Sequence, residues 1–171
     1  MPKVRVQKID LYYEEAGTGI PVVFVHEFAG DWRSWEAQVR FFSGRYRAVT
    51  FSARGYLPSD VPEASKDYSQ DNQIEDLRGL MDALKIEKAH LCGLSMGSYT
   101  SLLFGIKYPE RCRSLTIAGS GYGSGTNREE FHKQIAHVAD QMLTGGMKAV
   151  SGTYTLGPAR VQLQNKNPRA Y

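Results

Sequence analysis

Five consecutive residues, Pro21-Val22-Val23-Phe24-Val25, constrain the fold more than any other stretch of the chain. A β-branched and aromatic run this short has no polar side to turn to water. It therefore reads as a strand buried on both faces, the situation of a parallel sheet covered by helices. Tyr46 to Phe51, Ala89-His90-Leu91-Cys92 and Ser114-Leu115-Thr116-Ile117-Ala118 are further strand-like runs. Between them the apolar spacing turns helical. Asp31 stands as a cap before Trp32, Trp35, Val39 and Phe42, and Ser69 before Ile74, Leu77, Leu80, Met81 and Leu84. A third helix is expected from Met96 to Tyr108, stopped by Pro109. Val4, Val6 and Ile9 to Tyr13 predict an opening hairpin, with Ala16-Gly17-Thr18-Gly19 as turn residues. Strands alternating with helices in this way predict an α/β fold. The expected form is a three-layer αβα sandwich around a mostly parallel sheet of about six strands.

Composition removes several classes of function. A chain of 171 residues can bury a core without disulfides or a structural metal, and Cys92 and Cys112 are its only cysteines. The net charge of +3 is unevenly placed: residues 146–171 carry four bases and no acid, and the first 145 residues carry −1. Lys148, Arg160, Lys166 and Arg169 are too dispersed for a nucleic-acid footprint, so no nucleic-acid partner is expected. No apolar run approaches the roughly 20 residues of a membrane span. The basic N-terminus lacks the apolar core of a secretory signal, and a cytoplasmic location is expected. Gly119 to Gly125 is glycine-rich but is neither G-x-G-x-x-G nor a phosphate loop. His132 and His137 lack the i, i+4 spacing of a helical metal site. Neither a cofactor nor a metal is expected.

Gly93-Leu94-Ser95-Met96-Gly97 is the one G-x-S-x-G in the chain, with a strand expected before it and a helix after it. That context suits a serine exposed on a sharp strand-to-helix turn, with small residues two places away because the turning backbone passes close to its neighbours. Acyl transfer also needs two N–H groups aimed at the developing oxyanion. Met96, directly after the serine, would give one, and the loop His26-Glu27-Phe28-Ala29-Gly30 would give the other.

From about Tyr12 to Gly121 the sequence resembles the α/β-hydrolase superfamily, in its lipase, esterase and lactonase branch. The resemblance rests on the His26 to Gly30 loop, on Arg54-Gly55-Tyr56-Leu57-Pro58-Ser59-Asp60, on Leu77 to Leu84, and on Ile86 to Cys92 running into the serine turn. Tyr108-Pro109-Glu110-Arg111 completes it. The resemblance implies Ser95 as nucleophile, an oxyanion hole from the Met96 and Phe28 amides, and a small ester-like substrate. Glu27 stands where most relatives have glycine, and its side chain is expected to point outward. Family order places an acid and then a histidine after later strands. After Ser95 the histidines are His132 and His137, and the acids are Glu110, Glu129, Glu130 and Asp140. His137 and Asp140 are neighbours on one helical face, but polar residues on the outside of a helix are the expected reading. The resemblance therefore implies residues 1–125 as the N-terminal part of a hydrolase core and 126–171 as the start of a cap. The C-terminal strands, the general base and its acid would lie outside, and the chain alone would have little activity. The alternative is a non-catalytic hydrolase-like module. An unpaired sheet edge after Ser114–Ala118 would favour association with another chain or a second copy.

Overall fold

The computed structural model describes residues 2–121, 128–157 and 161–166. In chain order the strands are β1 (Lys3–Val6), β2 (Ile9–Ala16), β3 (Pro21–Val25), β4 (Arg47–Phe51), β5 (Ala89–Leu94) and β6 (Cys112–Ala118). The helices are α1 (Glu36–Phe42), α2 (Gln70–Ala83), α3 (Met96–Lys107), α4 (Arg128–Thr155) and α5 (Val161–Lys166). The chain divides into two compact units, Met1–Gly121 and Tyr122–Tyr171.

The sheet of the first unit has the order β1-β2-β4-β3-β5-β6. β3 runs parallel to both of its neighbours, β4 and β5. Its residues alternate between two cores, which explains why the run contains no polar residue. Val23 and Val25 pack with Ile74, Leu77, Leu80 and Met81 of α2 and with Phe104 of α3. Val22 and Phe24 face the other way, toward Trp35, Val39 and Phe42. Helices thus cover both faces of the sheet, as the sequence predicts.

Ser69 caps α2 by accepting a hydrogen bond from the Asn72 N–H at 3.2 Å. All five residues of the expected α2 stripe are buried. Two local expectations are corrected. The opening hairpin closes at Gln7-Lys8, with Gln7 at φ 52°, and Gly17 and Gly19 instead lead from β2 toward β3. The single helix expected after Asp31 is a 3-10 turn, Trp32–Trp35, followed by α1. Asp31 does cap it, accepting from the Arg33 N–H at 2.8 Å.

Where α2 meets the end of α3, Glu75 gathers three donors: Lys107 Nζ at 2.8 Å, Arg78 Nε at 2.7 Å, and the Tyr108 hydroxyl. Partial burial pushes this carboxyl up, but the bonds from Lys107, Tyr108 and Arg78 outweigh it and hold the pKa at about 2. A lowered carboxyl stabilises the fold above the unfolded-chain value, and that contribution fades as pH falls from about 4.5 to about 2. Glu75→Gln should therefore cost about 1 kcal/mol at neutral pH, a modest value because water screens the cluster. The difference from the unaltered chain should vanish near pH 2 in urea titrations; a difference that persisted there would contradict the assignment.

In the second unit α4 is interrupted at Gly146, where φ is 67° and ψ is −176°. The stripe of Phe131, Ile135, Val138 and Met142 lies on α4, but Ile135 is 51% exposed. His132, His137 and Asp140 are all exposed, as expected of the polar side of a helix. No helix among the described residues is long and apolar enough to cross a membrane.

Candidate active site

The turn at Ser95 is built by close backbone approach. Ser95 takes φ 51° and ψ −114°, between the last residue of β5 and the first of α3. Its N–H donates to Ala118 O at 2.9 Å, tying the turn to the end of β6. A Cβ on Gly93 would stand 2.2 Å from Gly97 O, and one on Gly97 would stand 2.2 Å from Val25 O. Both glycines are thus required by space: the first closes the turn, the second lets α3 lie against the end of β3. Ser95 itself is exposed. Met96 opens α3, so its N–H has no acceptor within the helix.

The loop after β3 leaves the same edge of the sheet, because Val25 stands opposite Gly93 in the parallel ladder. Gly30 N–H donates to Glu27 O at 3.1 Å, closing a tight turn in which Ala29 takes φ 60°. Phe28, within that turn, is 38% exposed. β3 and β5 thus bring Phe28 and Ser95-Met96 to one edge.

His26 anchors this turn from beneath and is fully buried. Its Nε2 accepts the Ala53 N–H at 3.0 Å, which puts the ring proton on Nδ1, where it donates to Glu27 O at 2.8 Å. Burial lowers the His26 pKa; the Glu27 carbonyl bond and the charges of Glu27 and Asp31 oppose that shift without overcoming it. The neutral ring therefore suits its place. Tyr56 meets the imidazole edge-on, with centroids 4.7 Å apart, and its hydroxyl reaches Met96 Sδ at 3.9 Å. His26 and Tyr56 so connect the loops after β3 and β4 with the start of α3. Neither role has a signal in the sequence beyond the loop motifs that contain them.

Glu27 is half-buried, and its carboxylate turns to Ser34. Its Oε1 accepts from Ser34 Oγ at 3.2 Å, and Oε2 is shielded from solvent with no protein partner. The absence of a Cβ at Gly30 makes room for this, since a Cβ there would stand 2.5 Å from Glu27 Oε1.

Among the described residues the most buried charge pair joins the loop after β4 to α2. Arg54 Nε and Nη2 bind Asp76 Oδ2 and Oδ1 at 2.6 and 2.7 Å, with side-chain exposures of 5% and 3%. Arg54 belongs to the loop after β4 and Asp76 to α2, so the pair fixes that loop to the helical layer. An open cleft of about 850 Å3 lies beside it, lined in part by Gln7, Lys8, Arg54, Asp60 and Asn72. Ser95 is not part of that cleft.

No cluster among the described residues could hold a metal ion. The arrangement at the sheet edge offers an exposed hydroxyl beside a helix N-terminus, which favours chemistry that develops negative charge.

The alpha/beta hydrolase fold family matches residues 20–146. The chain belongs to that family. It is 41% identical over 99 residues to 3-oxoadipate enol-lactonase 1 of Acinetobacter baylyi, covering 58% of this chain and 36% of that enzyme. It is 37% identical over 115 residues to 2-hydroxy-6-oxo-6-phenylhexa-2,4-dienoate hydrolase of Comamonas testosteroni, covering 65% of this chain and 40% of the other. The matched stretch thus spans well under half the length of these relatives. Among solved structures, the enol-lactonase of Burkholderia xenovorans superposes with a TM-score of 0.82 at 24% identity, over 96% of this chain and 63% of that one, and shows the fold alone. For this hydrolase-fold chain, the G-x-S-x-G turn and the His26 to Gly30 loop fall inside the matched residues.

Proposed function

We propose that this chain carries the nucleophile and oxyanion hole of a serine hydrolase that cleaves a carboxylic ester or lactone through an acyl-enzyme. The carrying observation is the exposed Ser95 on its strained turn, at the same sheet edge as the Phe28 turn. Ser95 Oγ would attack the substrate carbonyl and lose its proton to a general base. The Met96 and Phe28 amides would stabilise the resulting oxyanion. Collapse of this intermediate expels the alcohol, and water then releases the acid. The names of the enol-lactonase and of the 2-hydroxy-6-oxo-6-phenylhexa-2,4-dienoate hydrolase support hydrolysis as the reaction class. Residues 126–171 are read as the start of a cap region.

The histidines of the first unit do not suit the base. His26 is bonded at both ring nitrogens, and His90 stands near the start of β5, opposite Val22, at the far end of the strand from Ser95. A serine without a positioned base is a weak nucleophile, so 4-nitrophenyl acetate should acetylate Ser95 slowly and turn over poorly. Peptide mass mapping should find that acetyl group on Ser95 and lose it in Ser95→Ala. Acetylation confined to lysines would overturn the reading.

A second reading, a non-catalytic hydrolase-like module that joins another chain or a second copy, is favoured by the place of β6 at the edge of the sheet. Light scattering on a size-exclusion column separates the two, since a clean monomer counts against self-association.

A further inference from the structure

In the loops at the carboxyl edge of the sheet several charges are neutralised by a partner, whereas Glu63, Lys66 and Asp67 after β4 make no ion pair among the described residues. Asp31 binds Arg33 Nε through both oxygens at 3.0 Å, and Arg54 is locked to Asp76. Residues 94–106, which include Ser95 and most of α3, contain no charged side chain, and neither do residues 114–121 after them. Glu27 also makes no ion pair among the described residues, but its Oε1 is held only by the Ser34 hydroxyl, and its Oε2 is shielded from water.

Its position relative to Ser95 follows from the packing. A Cβ on Gly97 would touch Val25 O at 2.2 Å and His26 O at 2.6 Å, so the first turn of α3 lies on the residues just before Glu27. One residue on one side and two on the other separate Glu27 and Ser95 from that contact, which keeps their Cα atoms within roughly 15–18 Å of each other, and Glu27 directly precedes Phe28 in the turn that shares the sheet edge with Ser95. A carboxylate held back from solvent at that range is less screened than one on the surface.

We propose that Glu27 gives the Ser95 site a negative bias, selecting neutral or cationic acyl substrates against those that carry a carboxylate. The substrate statement rests on the serine-hydrolase reading; the bias itself does not.

The test uses a nucleophile that needs no base. In a background with Cys92 and Cys112 replaced by Ala, Ser95→Cys is treated with two methanethiosulfonates, one bearing trimethylammonium and one sulfonate. The ratio of their rates reads the potential at this position, and any change in thiol ionisation cancels. Adding Glu27→Gln should lower the cation-to-anion ratio about fivefold, the size expected for one partly screened charge at this range. High salt should compress the ratio only while Glu27 is present. A ratio unchanged within about twofold overturns the proposal.

Should the thiol variant fail to fold by circular dichroism, matched 4-nitrophenyl esters with neutral, anionic and cationic acyl chains replace it. Acylation of Ser95 in the otherwise unaltered chain is followed by mass, with Ser95→Ala as blank. The order cation, neutral, anion should hold and flatten with Glu27→Gln, and equal rates overturn the bias. Failure of the hydrolase reading looks different: no ester acylates Ser95, while the thiol ratio still responds to Glu27. If neither probe responds, both proposals fall.

Discussion

Asp76→Ala should destabilise the first unit by about 3–5 kcal/mol, the usual cost of stranding one member of a buried ion pair. Both carboxylate oxygens are bonded to Arg54, and Oδ1 also accepts from Gln7 Nε2 at 3.0 Å. Without the carboxylate, a guanidinium that is 5% exposed keeps its charge and loses its counterpart. Domains are stable by only about 5–15 kcal/mol, so the loss is a large share of the total. Urea denaturation should show a lowered midpoint. The double replacement Arg54→Met with Asp76→Leu should recover most of it, because the stranded charge is gone. A double variant as unstable as the single one would mean that the pair acts through shape instead.

The second large effect is expected at Gly97. An alanine there brings its Cβ to 2.2 Å from Val25 O and 2.6 Å from Val25 C and His26 O. Those are backbone atoms of the last residue of β3, which is paired with Gly93, and of the buried His26 after it, so α3 must move instead. A cost of about 3 kcal/mol is expected, at the upper end of the range for overpacking. Displacing α3 also carries the Met96 N–H away from the turn at Phe28, so Ser95 acylation should fall even in molecules that remain folded. Gly44 is the control, with nothing within 4 Å of its Cβ position, and Gly44→Ala should stay within about 0.5 kcal/mol of the unaltered chain. Equal midpoints for the two variants in thermal melts would remove the steric account of the turn.

What could be read from the sequence was what local spacing encodes. β3 needed only its unbroken apolar run, the α2 stripe its helical spacing, and the Ser95 turn its glycines between an expected strand and an expected helix. β5 runs two residues beyond the expected Cys92, because Gly93 and Leu94 pair with Ile117 and Ala118 of β6, a partner far along the chain. The hairpin turn escaped because Gln7 adopts positive φ without being glycine, asparagine or aspartate. The orientation of Glu27 depends on the space over Gly30 and on the Ser34 hydroxyl, neither of which has a pattern. The Arg54–Asp76 pair joins a loop to a helix, and nothing local marks the two as partners. The break in α4 did have a signal, the adjacent Gly145 and Gly146, which the stripe of apolar residues before it overshadowed.

The central place of β3 has a consequence for how the chain reaches its fold. Val22 lies next to Ala48 on one side and His90 on the other, so its second neighbour follows about seventy residues later in the chain. A ribosome making about 5–20 residues per second needs roughly 4–14 s to supply that stretch. Throughout that interval Val22 to Val25 wait with one edge unpaired and an apolar surface uncovered. Synthesis, more than the finished sheet, is then the stage at which this chain is most exposed to aggregation, and slowing translation before His90 should lower the yield of folded protein.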